Sequence, residues 1–214
     1  MAAGDTSATV ARQLASHHLQ ILGHCATTPT DGLGDGTILL VGPKEPEFWA
    51  HFSVSPEITD TAPDPLDRWS QRVLTEIAQR TGSLALFPFG GPPYRPFQSW
   101  AERTGRFWAS PIGFLVHDTG GLFASFRGAL LLPETIAPAQ AKDRPCDACA
   151  QPCRSACPVG AFENGYDVAA CKAHLASPEG ADCMNLGCRA RRACPVGQGN
   201  RVAAQANFHM EAFR

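Results

Sequence analysis

Eight of the nine cysteines in this 214-residue chain crowd between Cys146 and Cys194, and their spacing carries the clearest chemical meaning. The first group reads Cys146-x2-Cys149-x3-Cys153-x3-Cys157-Pro158; the second reads Cys171, then Cys183-x4-Cys188-x5-Cys194-Pro195. Bacterial two-cluster ferredoxins carry C-x2-C-x2-C-x3-C-P, in which the fourth cysteine ligates the other cluster. Closely spaced thiolates wrap one cubane, and the proline biases the cysteine before it away from helical geometry, so that it reaches across to the second. On this pattern Cys146, Cys149, Cys153 and Cys194 hold one [4Fe–4S] cluster, and Cys157, Cys171, Cys183 and Cys188 hold the other. The wider x3, x4 and x5 spacings lengthen loops without removing a ligand. Four-cysteine zinc sites also use C-x2-C pairs, but two Cys-Pro ends are not part of that pattern. The tetrapeptides Cys157-Pro-Val-Gly160 and Cys194-Pro-Val-Gly197 are identical, which predicts an internal pseudo-twofold arrangement.

The rest of the composition narrows the setting. Hydrophobic residues make up 44% of the chain, enough for a core, and the formal charge of -2 gives no global case for nucleic acid or anionic membrane. No apolar run approaches the ~20 residues of a membrane span. Met1 to Gly23 lacks a cationic start followed by an apolar block, so it does not read as a secretory signal. A cytoplasmic location without membrane attachment is expected, and there clustered cysteines point to metal rather than disulfides. Cys25, beside His24 in a predicted strand, reads as a buried inert thiol. The histidines show no metal-ligand spacing; His174, three residues after Cys171, suits a supporting role beside a cluster.

These ligands need a scaffold, and the pattern upstream is mixed. A helix is expected over residues 5–18, with Val10 and Leu14 on one face and Asp5 or Ser7 as cap. Leu19 to Ala26 and the apolar run Thr37 to Val41 read as strands. Asp64-Pro65 opens the clearest helix, with Leu66, Trp69, Val73 and Ile77 on one face and Gly82 as its stop. Ser83 to Phe89 is a further strand, and a short helix over Ser99 to Arg103 ends at Gly105. Gly113 to His117 and Leu122 to Leu132 flank Asp118-Thr-Gly-Gly121 and predict a β-hairpin. A Pro/Ala-rich linker, Pro133 to Arg144, separates residues 1–137 from residues 138–214. The cysteine segment has little hydrophobic periodicity and is expected to fold around its clusters.

From Cys146 to Pro195 the chain resembles the epoxyqueuosine reductase family, the cobalamin-dependent iron–sulfur enzymes of tRNA queuosine synthesis, and more distantly the reductive dehalogenases. All eight cluster cysteines have counterparts in order, and the family pattern implies the same four-and-four division. Arg95-Pro96 to Gly105, Phe107-Trp108 and Leu122-Phe-Ala-Ser-Phe-Arg-Gly-Ala-Leu-Leu131 resemble the end of that family's cobalamin-binding domain. The resemblance implies an α+β fold: a nitroreductase-like, cobalamin-binding-type domain over 1–137 and a two-cluster ferredoxin-like domain over 138–214. The family's catalytic aspartate precedes an Arg-Pro pair. The matching stretch here, Phe87 to Arg95, contains no carboxylate.

Three functions follow for test. In the first, the clusters pass electrons to a cofactor, cobalamin among the candidates, or to a substrate at the N-terminal domain. Gly90, Gly91, Trp108 and Gly113 are then candidates for the pocket lining, where glycine permits close backbone approach; the alternative is tight turns around packed aromatics. In the second, the chain is a ferredoxin-type carrier with a docking domain. Either function needs an external electron donor of flavodoxin or ferredoxin-reductase type. In the third, Arg189, Arg191, Arg192 and Arg201 form a basic patch for tRNA phosphates.

Overall fold

The structure, a computed structural model, describes residues 3–140, 142–200 and 202–214. It is mixed α and β with small antiparallel sheets, and the chain divides into two compact units. The first runs to Arg106 and resumes over Ser125–Lys142; the second comprises Phe107–Ala124 and Asp143–Arg214. The boundary between these units differs from the expected division at 137/138 in two ways. Beyond residue 137 the chain stays with the first unit to Lys142. Just before that point it is pinned: Thr37 donates to the Glu134 carbonyl at 2.7 Å and accepts from the Ile136 N–H at 2.9 Å. Phe107–Ala124 joins the cysteines because Ile112, Val116 and Leu122 bury with Cys146, Cys153 and Cys194.

In the first unit a four-stranded antiparallel sheet has the order β1 (Leu19–Ala26), β2 (Thr37–Pro43), β6 (Gly128–Leu132), β3 (Leu84–Leu86). Strands β2 and β6 are buried along their whole length, as continuous apolar runs in a sheet interior should be. Ile38 pairs with Cys25 on one side and Leu131 on the other. The expected strand from Ser83 to Phe89 shortens to β3, because Pro88 has no N–H to give the ladder.

Helix α1 (Ala3–Ala15) starts earlier than expected, so Ser7 lies inside it and caps nothing. Val10 and Leu14 are fully buried. Helix α4 (Pro65–Thr81) buries Leu66, Trp69, Val73 and Ile77 and stops at Gly82. Asp64 stands at its N-cap position, but its side chain makes no cap bond; its carbonyl instead accepts from Arg68 N–H at 3.0 Å. Trp69 packs edge-on against Phe48 and Phe52 of α2 (Phe48–Phe52), with centroids 5.4 and 5.9 Å away. Helix α5 (Phe97–Arg103) buries Trp100, whose Nε1 donates to Asp31 at 2.8 Å.

The predicted hairpin across Asp118–Gly121 is corrected. His117 and Gly121 do close a tight turn with reciprocal bonds of 3.0 Å. Beyond it, however, the strands separate. Strand β5 (Leu115–His117) pairs with β4 (Phe107–Ala109), while β6 joins the sheet of the first unit. The reason is burial: Leu130, Leu131 and Leu132 are apolar on both faces and need a central position, which a two-stranded ribbon does not offer. The described residues of the second unit also form the short α-helices α6 (Val168–Leu175), α7 (Ala181–Leu186), α8 (Arg189–Arg192) and α9 (Ala203–Phe213). Among the described residues no helix is long and apolar enough to cross a membrane.

Candidate metal centres

Loops and short helices, not long regular elements, position the cysteines. Cys146 and Cys149 lie in a turn, Cys153 in a single 3-10 turn (Pro152–Arg154), Cys171 on α6 and Cys183 on α7. Cys188 is the residue that leads into α8. Both Cys-Pro-Val-Gly repeats end on a left-handed glycine, φ 61° at Gly160 and 70° at Gly197, which turns the chain back after each cysteine. A Cβ on Gly197 would lie 2.7 Å from the Gly120 carbonyl oxygen, so the second repeat docks closely on the turn that follows β5.

Two cavities result, each of about 330 Å³ including its open mouth. Cys146, Cys149, Cys153 and Cys194 line the first, with Val116 and Leu122 as apolar wall. Cys157, Cys171, Cys183 and Cys188 line the second, with Phe162 and Met210. Each cavity therefore takes three cysteines from one run and one from the other. All eight are free thiols; Cys146, Cys153, Cys183 and Cys194 are buried and the rest half-buried. His174 also lines the second cavity. Among the described residues no three Cys, His, Asp or Glu side chains converge closely enough to hold a single metal ion.

Burial pushes the Cys146, Cys153, Cys171, Cys183 and Cys188 thiols up, because a dry wall disfavours the thiolate. Donors aimed at sulfur oppose this. Gln151 N–H donates to Cys149 and Ala161 N–H to Cys157, both at 3.3 Å. The backbone of Arg189 beside Cys183, and that of Ala190 and Arg191 beside Cys188, also pull those thiols down. The Tyr166 side chain beside Cys171 pulls that thiol the same way, a contribution that sequence reasoning missed. Its only signal was a tyrosine five residues before a ligand-type cysteine.

The chain matches no family model and no curated protein.

The other candidate residues are placed as follows. Gly90 and Gly91 lie in a loop of the first unit, and Trp108 and Gly113 lie on the β4–β5 ribbon of the second. Gly113, at φ 81°, closes the ribbon's turn by donating to the Ser110 carbonyl at 3.0 Å. Much of the basic group is engaged by partners within its own unit, though Arg189 stays exposed. Arg189 and Arg192 both pair with Asp182, and Arg191 turns inward, Nε donating to the Leu122 carbonyl at 2.7 Å. Arg201 lies outside the described residues. Cys25 is buried; burial pushes its thiol up, against a contact from Arg103.

Proposed function

We propose that this chain is an iron–sulfur redox protein that binds two [4Fe–4S] clusters in its second unit and passes electrons to a cofactor or substrate of the first. One observation carries the reading: eight cysteines sort four and four around two cavities, each set completed by a cysteine from the other run. A zinc ion needs donors roughly 2.0–2.3 Å from one point; here the sulfurs surround a volume, as a cubane requires. The apolar walls and the N–H donors to sulfur support the same chemistry, since hydrogen bonds and solvent exclusion tune cluster potential. Such a cluster, when bound, supplies one-electron transfer. The protein's own part is to hold the thiolates, exclude water and fix the surrounding dipoles.

The resemblance to epoxyqueuosine reductases extends the proposal to an oxidoreductase with a nitroreductase-like first unit and a ferredoxin-like second. Reduction of epoxyqueuosine itself is not included. Breaking that carbon–oxygen bond asks for a positioned general acid, typically worth ~10²–10⁴-fold, and Phe87 to Arg95 contains no carboxylate. The same absence favours a second reading, a non-enzymatic electron carrier fed by an external donor. Absorption spectra of anaerobically purified protein test the shared core of both. Broad thiolate-to-iron charge-transfer bands that bleach with dithionite are expected; a colourless protein containing stoichiometric zinc would overturn it.

A further inference from the structure

Ser110 directly follows β4 and forms part of the wall of the first cavity. Its main chain is fully used: the N–H donates to the Phe114 carbonyl at 2.8 Å, and the carbonyl accepts from the Gly113 N–H at 3.0 Å. Its side chain is not. Ser110 is 7% exposed, and its buried Oγ has no hydrogen-bond partner among the described residues. The composition of the wall shows why. Pro111, Val116, Leu122, Pro195 and Val196 offer no side-chain donor or acceptor, and the Gln151 amide already reaches the Cys146 carbonyl at 3.5 Å. A bridging water needs about two to four polar partners, which such a wall supplies poorly. The other polar side chains of the wall are the thiols of Cys146, Cys149, Cys153 and Cys194.

Leaving a buried hydroxyl unpaired is costly, so an orphan of this kind calls for a partner that the chain itself does not supply. Resting on the reading of Cys146, Cys149, Cys153 and Cys194 as cluster ligands, we infer that the Ser110 hydroxyl donates a hydrogen bond to sulfur of that cluster and raises its reduction potential. The assignment to one cluster is geometric: Ser110 lines the first cavity and not the second. A serine hydroxyl has one donor hydrogen that rotates to suit its acceptor. A [4Fe–4S] core held by four thiolates is negative overall, and the reduced form is more negative by one electron. The positive end of the O–H dipole therefore stabilises the reduced form more than the oxidised one, most effectively where water is excluded. Reduction here adds one electron from dithionite or an electrode mediator; no covalent bond forms or breaks, and the hydroxyl keeps its proton. Ser110 is a donor to the cluster, not a ligand of iron.

The test is a mediated redox titration of the whole anaerobic protein, followed by electron paramagnetic resonance, on wild type, Ser110→Ala, Ser110→Thr and Cys149→Ala. An iron assay comes first: wild type without about eight irons per chain refutes the cluster reading itself. Cys149→Ala then identifies the signal of the first cavity as the one that disappears. Ser110→Ala is expected to move that signal to lower potential and leave the other in place. Ser110→Thr, which keeps the hydroxyl, should return most of that shift. Unchanged potentials, a shift of the other signal alone, or equal shifts of both overturn the inference. Should Ser110→Ala lose the first cluster, electron–nuclear double resonance of wild type in light and heavy water decides the matter. A proton coupled to the first cluster that exchanges fast, as hydroxyls do and buried amides do not, supports the inference; its absence overturns it.

Discussion

Replacing Cys157 by Ala should cost the chain the cluster of the second cavity and spare the cavity that Cys157's own sequence neighbours line. Cys157 ends the run that begins at Cys146, yet it lines the cavity of Cys171, Cys183 and Cys188. Its removal leaves three thiols there and four around the first cavity. Four irons belong to each cubane, so iron should fall from about eight to about four per chain. A local cost accompanies the loss, because Ala161 is 2% exposed and its N–H donates to the Cys157 sulfur at 3.3 Å. Leaving that donor unsatisfied costs about 1–3 kcal/mol, so Cys157→Ser, which retains an acceptor, separates cluster loss from destabilisation. Cys194→Ala is the mirror experiment: it should remove the cluster beside Cys146, Cys149 and Cys153. Iron and sulfide assays with paramagnetic resonance of the reduced variants read both outcomes. Loss of the sequence-local cluster in each variant would refute the crossed arrangement.

Further expectations concern the scaffold. Asp31 is desolvated, which raises its pKa, but the Arg103 guanidinium at 2.8 Å, with Thr28 and Trp100, holds it well below the usual carboxylate range. The resulting stabilisation is present above about pH 3.9 and is lost as pH falls toward the folded value; at neutral pH Asp31→Asn should cost about 1.5–3 kcal/mol by thermal unfolding. His17 and His51 titrate below the ordinary histidine value, first through burial, then through the neighbouring His51 and His18 respectively. Folded protein thus binds these protons less readily than unfolded chain, so stability should decline below about pH 6.5, and His51→Gln should flatten that dependence. Gly160→Ala and Gly197→Ala each force alanine into left-handed backbone, a cost of about 1–2 kcal/mol. The new Cβ would meet a flexible Glu163 carboxylate in the first case and the Gly120 backbone carbonyl in the second. Gly197→Ala should therefore be the more damaging, and it should release iron from the first cavity preferentially.

Local pattern was most informative where one residue's chemistry decides its surroundings. The apolar face of α4 and the uninterrupted run of β2 could be read directly, because burial of that many apolar side chains leaves few alternatives. The Cys-Pro endings likewise indicated which cysteine leaves its own run for the opposite cavity. What local pattern did not show were the long-range choices. Leu130 to Leu132 look like the second arm of a hairpin, but sheet burial sends them between β2 and β3. Ile112, Val116 and Leu122 look like part of the preceding domain, and only packing against Cys146, Cys153 and Cys194 moves them to the second unit. Helix α9 has no strong apolar stripe. It is held against α7 partly by Asn207, whose amide donates to the Met184 carbonyl at 3.2 Å, a bond that periodicity cannot announce.

The most direct test of the central claim is metal and sulfide stoichiometry of the whole chain, purified without oxygen and without reconstitution. About eight irons and eight acid-labile sulfides per chain, with no zinc, is the predicted result. One or two zinc ions per chain and no labile sulfide would contradict the account.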